Sequence, residues 1–165
     1  MSESTRIAGL LHDVMHGELL DHQLGEAWHG PATLGLVQDL SAADAAKKPI
    51  PGAHSIWELV LHIGNWNDII ARRLGGETLD GLMNTEVDWP KNAAGDEAAW
   101  RDALDRLNRS YETLHKAMLS ASEEKLAQPA VNRKHSNYVM LHGIIHHIAY
   151  HSGQIALLRK ALANA

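Results

Sequence analysis

Apolar residues recur at intervals of three and four along three long segments of this 165-residue chain. Such intervals place residues on one face of an α-helix, which turns once about every 3.6 residues. The three apolar faces are Ile56-Leu59-Ile63-Trp66-Ile70, Trp100-Leu104-Leu107-Tyr111-Leu114-Met118 and Ile144-Ile148-His151-Ile155-Leu158-Leu162. Strand signals are weak, because the short apolar runs are never flanked by hairpin turns. The pattern predicts an all-α protein whose helices pack antiparallel as a bundle.

Capping chemistry places the ends of these helices. Ser55 followed by Glu58 is a capping box, in which each side chain accepts a hydrogen bond from a backbone amide left free in the first turn. Asp96 can cap the next helix, and Ser136 or Asn137 can cap the last one. The predicted helices span about 55–75, 97–119 and 138–162, with Gly75-Gly76 as the stop of the first.

The N-terminal region departs from this regular pattern. Residues 4–24 are predicted as a helix whose apolar positions are Ile7, Leu10, Leu11, Val14 and Leu19. The stretch Trp28-His29-Gly30-Pro31 interrupts it, and Pro31 suits the first turn of a short helix that ends near Leu40. These two pieces together are expected to fill one position of the bundle.

A long connection, GGETLDGLMNTEVDWPKNAAG, joins the second and third predicted helices. Loops of this length are uncommon in a compact domain unless they cross over the fold or cover a site. The expected fold is therefore a four-helix bundle with a long connection between helices 2 and 3. Its length suits a single domain over residues 1–165.

Composition and charge narrow the classes of function. The chain is 45% hydrophobic and carries a net charge of −5, so it has no basic surface for direct contact with nucleic acid. No apolar run is long enough to span a membrane and the N-terminus lacks a signal-peptide pattern, which favours a cytoplasmic protein without membrane contact. There is no cysteine, so any metal ligands must be His, Asp or Glu, and any thiol must come from a substrate.

Histidine is abundant, with twelve residues, and three pairs are four positions apart on predicted helices. This spacing lets two imidazoles reach one ion. The pairs are His12/His16, His142/His146 and His147/His151. Only His147 and His151 face the predicted interior, where they are either metal ligands or hydrogen-bonded core histidines. His62 lies beside the apolar face of the second helix and could complete a set of three, which leaves coordination positions open for water or substrate.

Two blocks of sequence resemble the DinB/YfiT-like superfamily of four-helix bundle proteins. They are GAHSIWELVLHIGNW and, after the long connection, HHIAYHSGQIALLRK; AWHGPATLGLV is similar to a segment of one branch. In that family a histidine of the second helix and an HxxxH pair of the last helix bind a divalent metal. The resemblance therefore implies His62, His147 and His151 as metal ligands.

The resemblance leaves the reaction open. Relatives include thiol S-transferases that use bacillithiol or mycothiol, a mycothiol-dependent maleylpyruvate isomerase and proteins described as metal-dependent hydrolases. We expect a metal-dependent enzyme acting on a small molecule, with transfer involving a low-molecular-weight thiol as the first hypothesis. Hydrolysis is the alternative and a non-catalytic metal- or ligand-binding stress protein is the second. Relatives often form dimers, which implies a homodimer.

The metal is expected to be one divalent transition ion, zinc or nickel first and iron as a further option, since imidazole suits all of these. No catalytic side chain is identified, and the reactive group would be water or a thiolate on the metal. Six residues are candidates for contacts behind the ligands or in the pocket: Gln154, Tyr150, Asn65, Trp66, Glu58 and His29. For Glu58 the capping role is favoured, and for Tyr150 a place in the core. His29 reaches the site only if the segment around it folds over the mouth.

Overall fold

A computed structural model describes residues 1–17, 26–90 and 95–164 of the chain. Six helices and two short strands lie in these ranges. In chain order they are α1 (Glu3–His16), β1 (Glu26–Ala27), β2 (Gly30–Pro31), α2 (Ala42–Ala46), α3 (Ile56–Leu74), α4 (Glu97–Ser120), α5 (Glu123–Ala127) and α6 (Asn137–Ala163). The fold is mostly helical, as the apolar periodicity predicts.

The four long helices enclose one apolar core. Helix α3 packs against α4 and α6, and α1 packs against the same two helices from the other side. The apolar faces predicted from the sequence meet there, and Ile63, Leu114 and Ile148 are fully buried. Burial of such side chains stabilises the fold by about 1.5–3 kcal/mol each, so these contacts fix where α3 and α6 face each other. None of the helices in the described ranges is long and apolar enough to cross a membrane.

The predicted helix starts are confirmed. In the capping box of α3, the Ser55 hydroxyl accepts from the Glu58 amide at 3.1 Å, and the Glu58 carboxylate accepts from the Ser55 amide at 2.7 Å. Asp96 caps α4, and Ser136 rather than Asn137 caps α6. Asn137 instead donates from its side chain to the backbone carbonyl of Lys125, which ties α6 to α5.

Replacing Ser55 with alanine should lower the free energy of unfolding by about 1 kcal/mol, because the Glu58 amide loses its acceptor. Urea denaturation followed by circular dichroism measures this change. Ser120→Ala is the matched control, since the Ser120 hydroxyl only bonds a carbonyl of its own helix near an exposed end, and it should stay within about 0.5 kcal/mol. Equal effects in the two variants would contradict the capping role.

The N-terminal prediction is wrong in two places. Helix α1 ends at His16, where Gly17 adopts the left-handed conformation with φ 74°; the predicted continuation through Leu19 to residue 24 lies outside the described residues, apart from Gly17. Pro31 belongs to β2, and the chain that follows it forms turns instead of a helix. The physical reason is that the Thr33 and Leu34 amides donate to carbonyls in the last turn of α1, at 3.0 and 3.1 Å, where that helix leaves acceptors unpaired.

Candidate metal centre

Three histidines from two helices converge on one point between α3 and α6. His62 Nε2 lies 3.0 Å from His147 Nε2, and His151 Nε2 lies 3.1 Å from the same atom. One nitrogen from each ring falls within 4.8 Å of the others, so the three could hold a metal ion. Zinc bonds of about 2.0–2.1 Å separate tetrahedral ligand nitrogens by roughly 3.4 Å. The two separations from His147 Nε2 are therefore close to those that one ion requires, and the third is at most 4.8 Å.

Hydrogen bonds behind two of the rings fix which nitrogen faces the centre. His62 Nδ1–H donates to the backbone carbonyl of Asp88 at 2.6 Å. His151 Nδ1–H donates to the side-chain carbonyl of Gln154, also at 2.6 Å. Each ring then keeps its proton on Nδ1 and presents the Nε2 lone pair inward. Metal-binding histidines are held in this way in proteins generally.

The proton count at the centre favours a cation. With His62 and His151 protonated on Nδ1, both of their Nε2 atoms are acceptors. A single N–H on His147 Nε2 can point at only one of them, so one buried acceptor stays without a donor. His147 Nδ1 has no hydrogen-bond partner in the described part of the chain, so no contact behind this ring fixes its tautomer. An ion among the three Nε2 atoms satisfies all three lone pairs at once, and the residues present therefore fit a metal.

Burial keeps these imidazoles neutral. It lowers the pKa of His147 to about 3, assisted by the neighbouring His151 and His62 rings. It also lowers the pKa of His62 and of His151, against the opposing effects of Asp88 and Gln154. A metal binds only the neutral form of imidazole, so no proton needs to leave before an ion can enter at neutral pH.

The long connection contributes Asp88, which the sequence did not single out. Its carboxylate is 1% exposed and accepts from Trp66 Nε1 at 2.8 Å and from the Asn84 amide at 2.8 Å. Asn65 donates to the Val87 carbonyl at 2.8 Å and so holds the same loop. A sequence motif cannot identify Asp88 in this role, because the group that orients His62 is a backbone carbonyl and every residue type has one. The only sequence signal was the unusual length of the loop.

Trp89, next in the chain, stacks directly on a ligand. Its ring lies 3.9 Å from the His62 ring at an interplanar angle of 7°, and His54 stacks on its other face at 3.5 Å. The indole thus covers one face of the His62 imidazole. This contact keeps the ring from rotating and keeps water away from that side.

The other candidates lie in different places. Gln154 contacts His151 as described, and Trp66 lines the cavity beside the centre. Tyr150 is 65% exposed, so its predicted place in the core is wrong; it accepts instead from the Gln154 amide at 3.0 Å. Glu58 is used by the capping box and by an ion pair with Lys48.

His29 is not brought to the centre. It is exposed in the turn between β1 and β2 and is not among the residues that line the cavity at the three histidines. The Trp28 amide donates to the Asp13 carboxylate at 3.2 Å, which ties this segment to the end of α1. The remaining helical pairs also stay apart from the centre: His12 and His16 stack on each other at 4.7 Å beside Tyr111, and His146 is exposed.

Replacing Gln154 with leucine should lower the affinity for a divalent ion about 10- to 100-fold, because His151 Nδ1–H loses its acceptor and the ring loses its fixed orientation. Competition with a fluorescent zinc chelator measures this. Gln154→Glu keeps a carbonyl oxygen at that place and should bind at least as tightly as the wild type. An unchanged affinity in the leucine variant would contradict the orienting role.

A cavity of about 520 Å³ opens beside the centre. His62 and His147 form part of its wall, and so do Asp88 and Trp89. The remaining wall is largely apolar and follows the groove between α3 and α6. This volume is in the range of pockets that accept small organic molecules, so an ion at the three histidines would be in reach of such a molecule.

Most of the chain matches one family of known proteins. A family model described as the DinB superfamily matches residues 23–155 of the chain. No curated protein and no solved structure matches it. The matched range contains all three histidines of the centre and the loop that orients one of them.

Proposed function

This chain belongs to the DinB superfamily, and from that membership and the three converging imidazoles we propose that it is a metal-dependent enzyme acting on a small molecule. The reaction that we propose is transfer involving a low-molecular-weight thiol. One observation carries the proposal: His62 and His147 belong both to the candidate ligand set and to the wall of an apolar cavity. A purely structural metal site has no need of such an opening.

A divalent ion at this place would supply Lewis acidity, which would favour the thiolate over the thiol or, in a hydrolase, lower the pKa of water. The chain's own residues would do the rest. His62, His147 and His151 would hold the ion as neutral donors, with His62 and His151 oriented from behind by Asp88 and Gln154. The apolar cavity wall excludes water and so protects a nucleophile from hydration. Since the chain has no cysteine, the thiol must be a separate molecule.

Hydrolysis is the second candidate, and the described part of the chain places no general base at the centre. Asp88 is the carboxylate that lies against the centre, with Oδ1 3.4 Å from His62 Nδ1. Its Oδ1 accepts from Trp66 and its Oδ2 from the Asn84 amide, and the carboxylate lies on the Nδ1 side of His62, behind the ring, so it is not placed to take a proton from water at the Nε2 side. Glu58 is engaged in capping. These contacts favour thiol transfer over hydrolysis.

Turnover assays test the proposal. The metal-loaded protein is incubated with a thiol (glutathione, cysteine, bacillithiol or mycothiol) and an aryl halide electrophile, and adduct formation is followed by mass spectrometry. We expect adduct that depends on both protein and metal and that disappears in His147→Ala. Hydrolysis of an aryl ester supplied in place of the halide, without use of the thiol, would favour the hydrolase. Metal binding without turnover under any condition would favour a non-catalytic binding protein and overturn the proposal.

The proposal also covers the identity of the metal, the bundle architecture and the oligomeric state. We infer zinc or nickel as the ion, with iron as a further option, because three imidazoles suit each of them. We also propose that the four long helices form a DinB/YfiT-type four-helix bundle within one domain over residues 1–165, with residues 75–95 as the long connection. A cytoplasmic homodimer without direct nucleic-acid contact stays a prediction, and light scattering of the purified protein tests its oligomeric state.

A further inference from the structure

The cavity at the metal centre is elongated and has two chemically different ends. On α3 its wall is formed by His62, Trp66, Ile70 and Arg73, at intervals of four, four and three residues. The eleven steps from His62 to Arg73 rise about 16 Å along the helix axis. Helix α6 runs antiparallel to α3, so its part of the wall extends from His147 toward the N-terminal end of α6. The cavity therefore extends from the three histidines toward the C-terminal end of α3.

Two guanidinium groups line the end remote from the histidines. Arg73 comes from α3 and Arg133 from the loop before α6. Arg133 forms an ion pair with Asp80 at 2.7 Å, whereas Arg73 has no carboxylate within ion-pair distance among the described residues. Asp80 pairs directly with Arg133 and acts on Arg73 without forming an ion pair, so these three groups leave one net positive charge at this end, in a protein whose net charge is −5.

Arg73 is built into the wall and is not a mobile surface side chain. Its Nη2 donates to the Leu79 carbonyl at 2.5 Å, and its guanidinium lies 5.6 Å from the centre of the Trp66 ring. Its Nε is buried without a hydrogen-bond partner in the described part of the chain. Burial and the charge of Arg133 lower the pKa of Arg73, against the opposing effect of Asp80. A half-buried guanidinium that these contacts fix at the end of an apolar cavity favours an anionic group in that cavity.

The wall between the two ends is apolar. It is formed mainly by Ile70, Met83, Met140 and Ile144. A molecule that spans the cavity therefore has to be apolar in the middle and can be charged only at its ends.

Building on the proposed function, we propose that the substrate is an elongated small molecule with an apolar body and an oxyanion, a carboxylate or phosphate, at the end that Arg73 and Arg133 bind. Its reactive end would lie at the three histidines. Arg73 and Arg133 would act as binding and specificity residues, outside the chemistry itself. An arginine fork matches the planar oxygens of a carboxylate and binds them through two parallel hydrogen bonds.

Calorimetric titration of metal-free protein tests this anion site separately from the metal site. The probes are octanoate, octyl phosphate and the neutral octan-1-ol. We expect an anionic probe to bind the wild type, and Arg73→Met and Arg133→Met each to weaken that binding about tenfold or more. Octan-1-ol binding should change little. Arg72→Met is the matched control, because Arg72 is the exposed neighbour of Arg73, pairs with Glu77 and does not line this cavity.

The outcomes are distinguishable. Octanoate and octyl phosphate decide between a carboxylate and a phosphate as the preferred group. Binding of octan-1-ol as tightly as both anions, no binding of either anion, or equal losses in Arg72→Met and Arg73→Met would overturn the anion site. Anion binding that requires added metal and is unchanged in Arg73→Met would also overturn the anion site, while leaving the metal site intact.

Two controls show whether the variants are folded. Circular dichroism compares their helix content with that of the wild type. The Arg73→Lys variant keeps the positive charge and should retain part of the affinity. Anion binding without any metal binding would overturn the proposed function alone.

Discussion

The His147→Ala variant is expected to lose stoichiometric binding of a divalent ion. His147 Nε2 is the central atom of the centre, because both other ligand nitrogens lie 3.0–3.1 Å from it. Removing it leaves two nitrogens, and two imidazoles with no third ligand hold zinc far more weakly than three. We expect wild-type protein to bind about one ion per chain and the variant to bind none at micromolar concentrations.

Elemental analysis of tag-free protein, dialysed against buffer with limited zinc or nickel, measures the metal content. His146→Ala is the matched control, since His146 is the adjacent residue of α6, is exposed and points away from the centre. It should keep the full metal content. Equal metal content in His147→Ala and wild type would show that the three histidines are a hydrogen-bonded core cluster.

Loss of metal binding in His147→Ala should also appear as a difference in thermal stability between this variant and the wild type when metal is added. A ligand that binds only the folded state stabilises it by about 2.7 kcal/mol when its free concentration is 100 times its dissociation constant. Added zinc or nickel should therefore raise the thermal midpoint of wild type and of His146→Ala and leave that of His147→Ala unchanged. Differential scanning calorimetry with and without a chelator measures this shift.

The Asp88→Ala variant is expected to damage both the fold and the centre. The Asp88 carboxylate of the wild type is buried and accepts hydrogen bonds from the Trp66 indole and the Asn84 amide. Its removal leaves these donors without partners, which should lower the free energy of unfolding by about 1–3 kcal/mol. The loop that carries the carbonyl against His62 then loses one of its anchors and keeps the bond from Asn65 to the Val87 carbonyl. A negative charge beside the ligand set disappears as well. Together these changes should weaken metal binding about 10- to 100-fold.

Urea denaturation of metal-free protein measures the first effect, and competition with a zinc chelator measures the second. Asp68→Ala is the control for removal of a carboxylate, because Asp68 is on α3 and exposed and does not line the cavity at the histidines. It should change the free energy of unfolding by no more than about 0.5 kcal/mol. Unaltered metal affinity in Asp88→Ala would show that the loop covers the centre without orienting it.

The long helices could be predicted from sequence because their information is local. The capping pair Ser55 and Glu58 and the regular spacing of apolar residues fix α3 without any knowledge of its neighbours. Helices α2 and α5 were missed, since each has five residues and is too short to show a periodicity. The end of α1 was placed too late because Leu19 and Leu20 continue the apolar pattern past Gly17, the residue that stops the helix.

The candidate ligands could also be identified, because metal binding needs a particular residue type at a particular spacing. His147 and His151 share one side of α6, and His62 faces them from α3 for the same reason that its apolar neighbours face the core. The supporting contacts could not be predicted. The Asp88 carbonyl and the Arg73–Arg133 pair depend on how the loops fold back on the helices, and no local pattern encodes that arrangement.

The position of the ligands along the chain has a consequence for the lifetime of the folded protein. His62 and His147 are separated by 85 residues, and the entropy of closing so long a loop means that the ligand set forms only once α3 and α6 have docked. An ion bound there would join two segments that are distant in sequence, so it would slow unfolding and leave early folding steps unchanged. The rate at which a chelator strips the metal would then report how often these two helices separate.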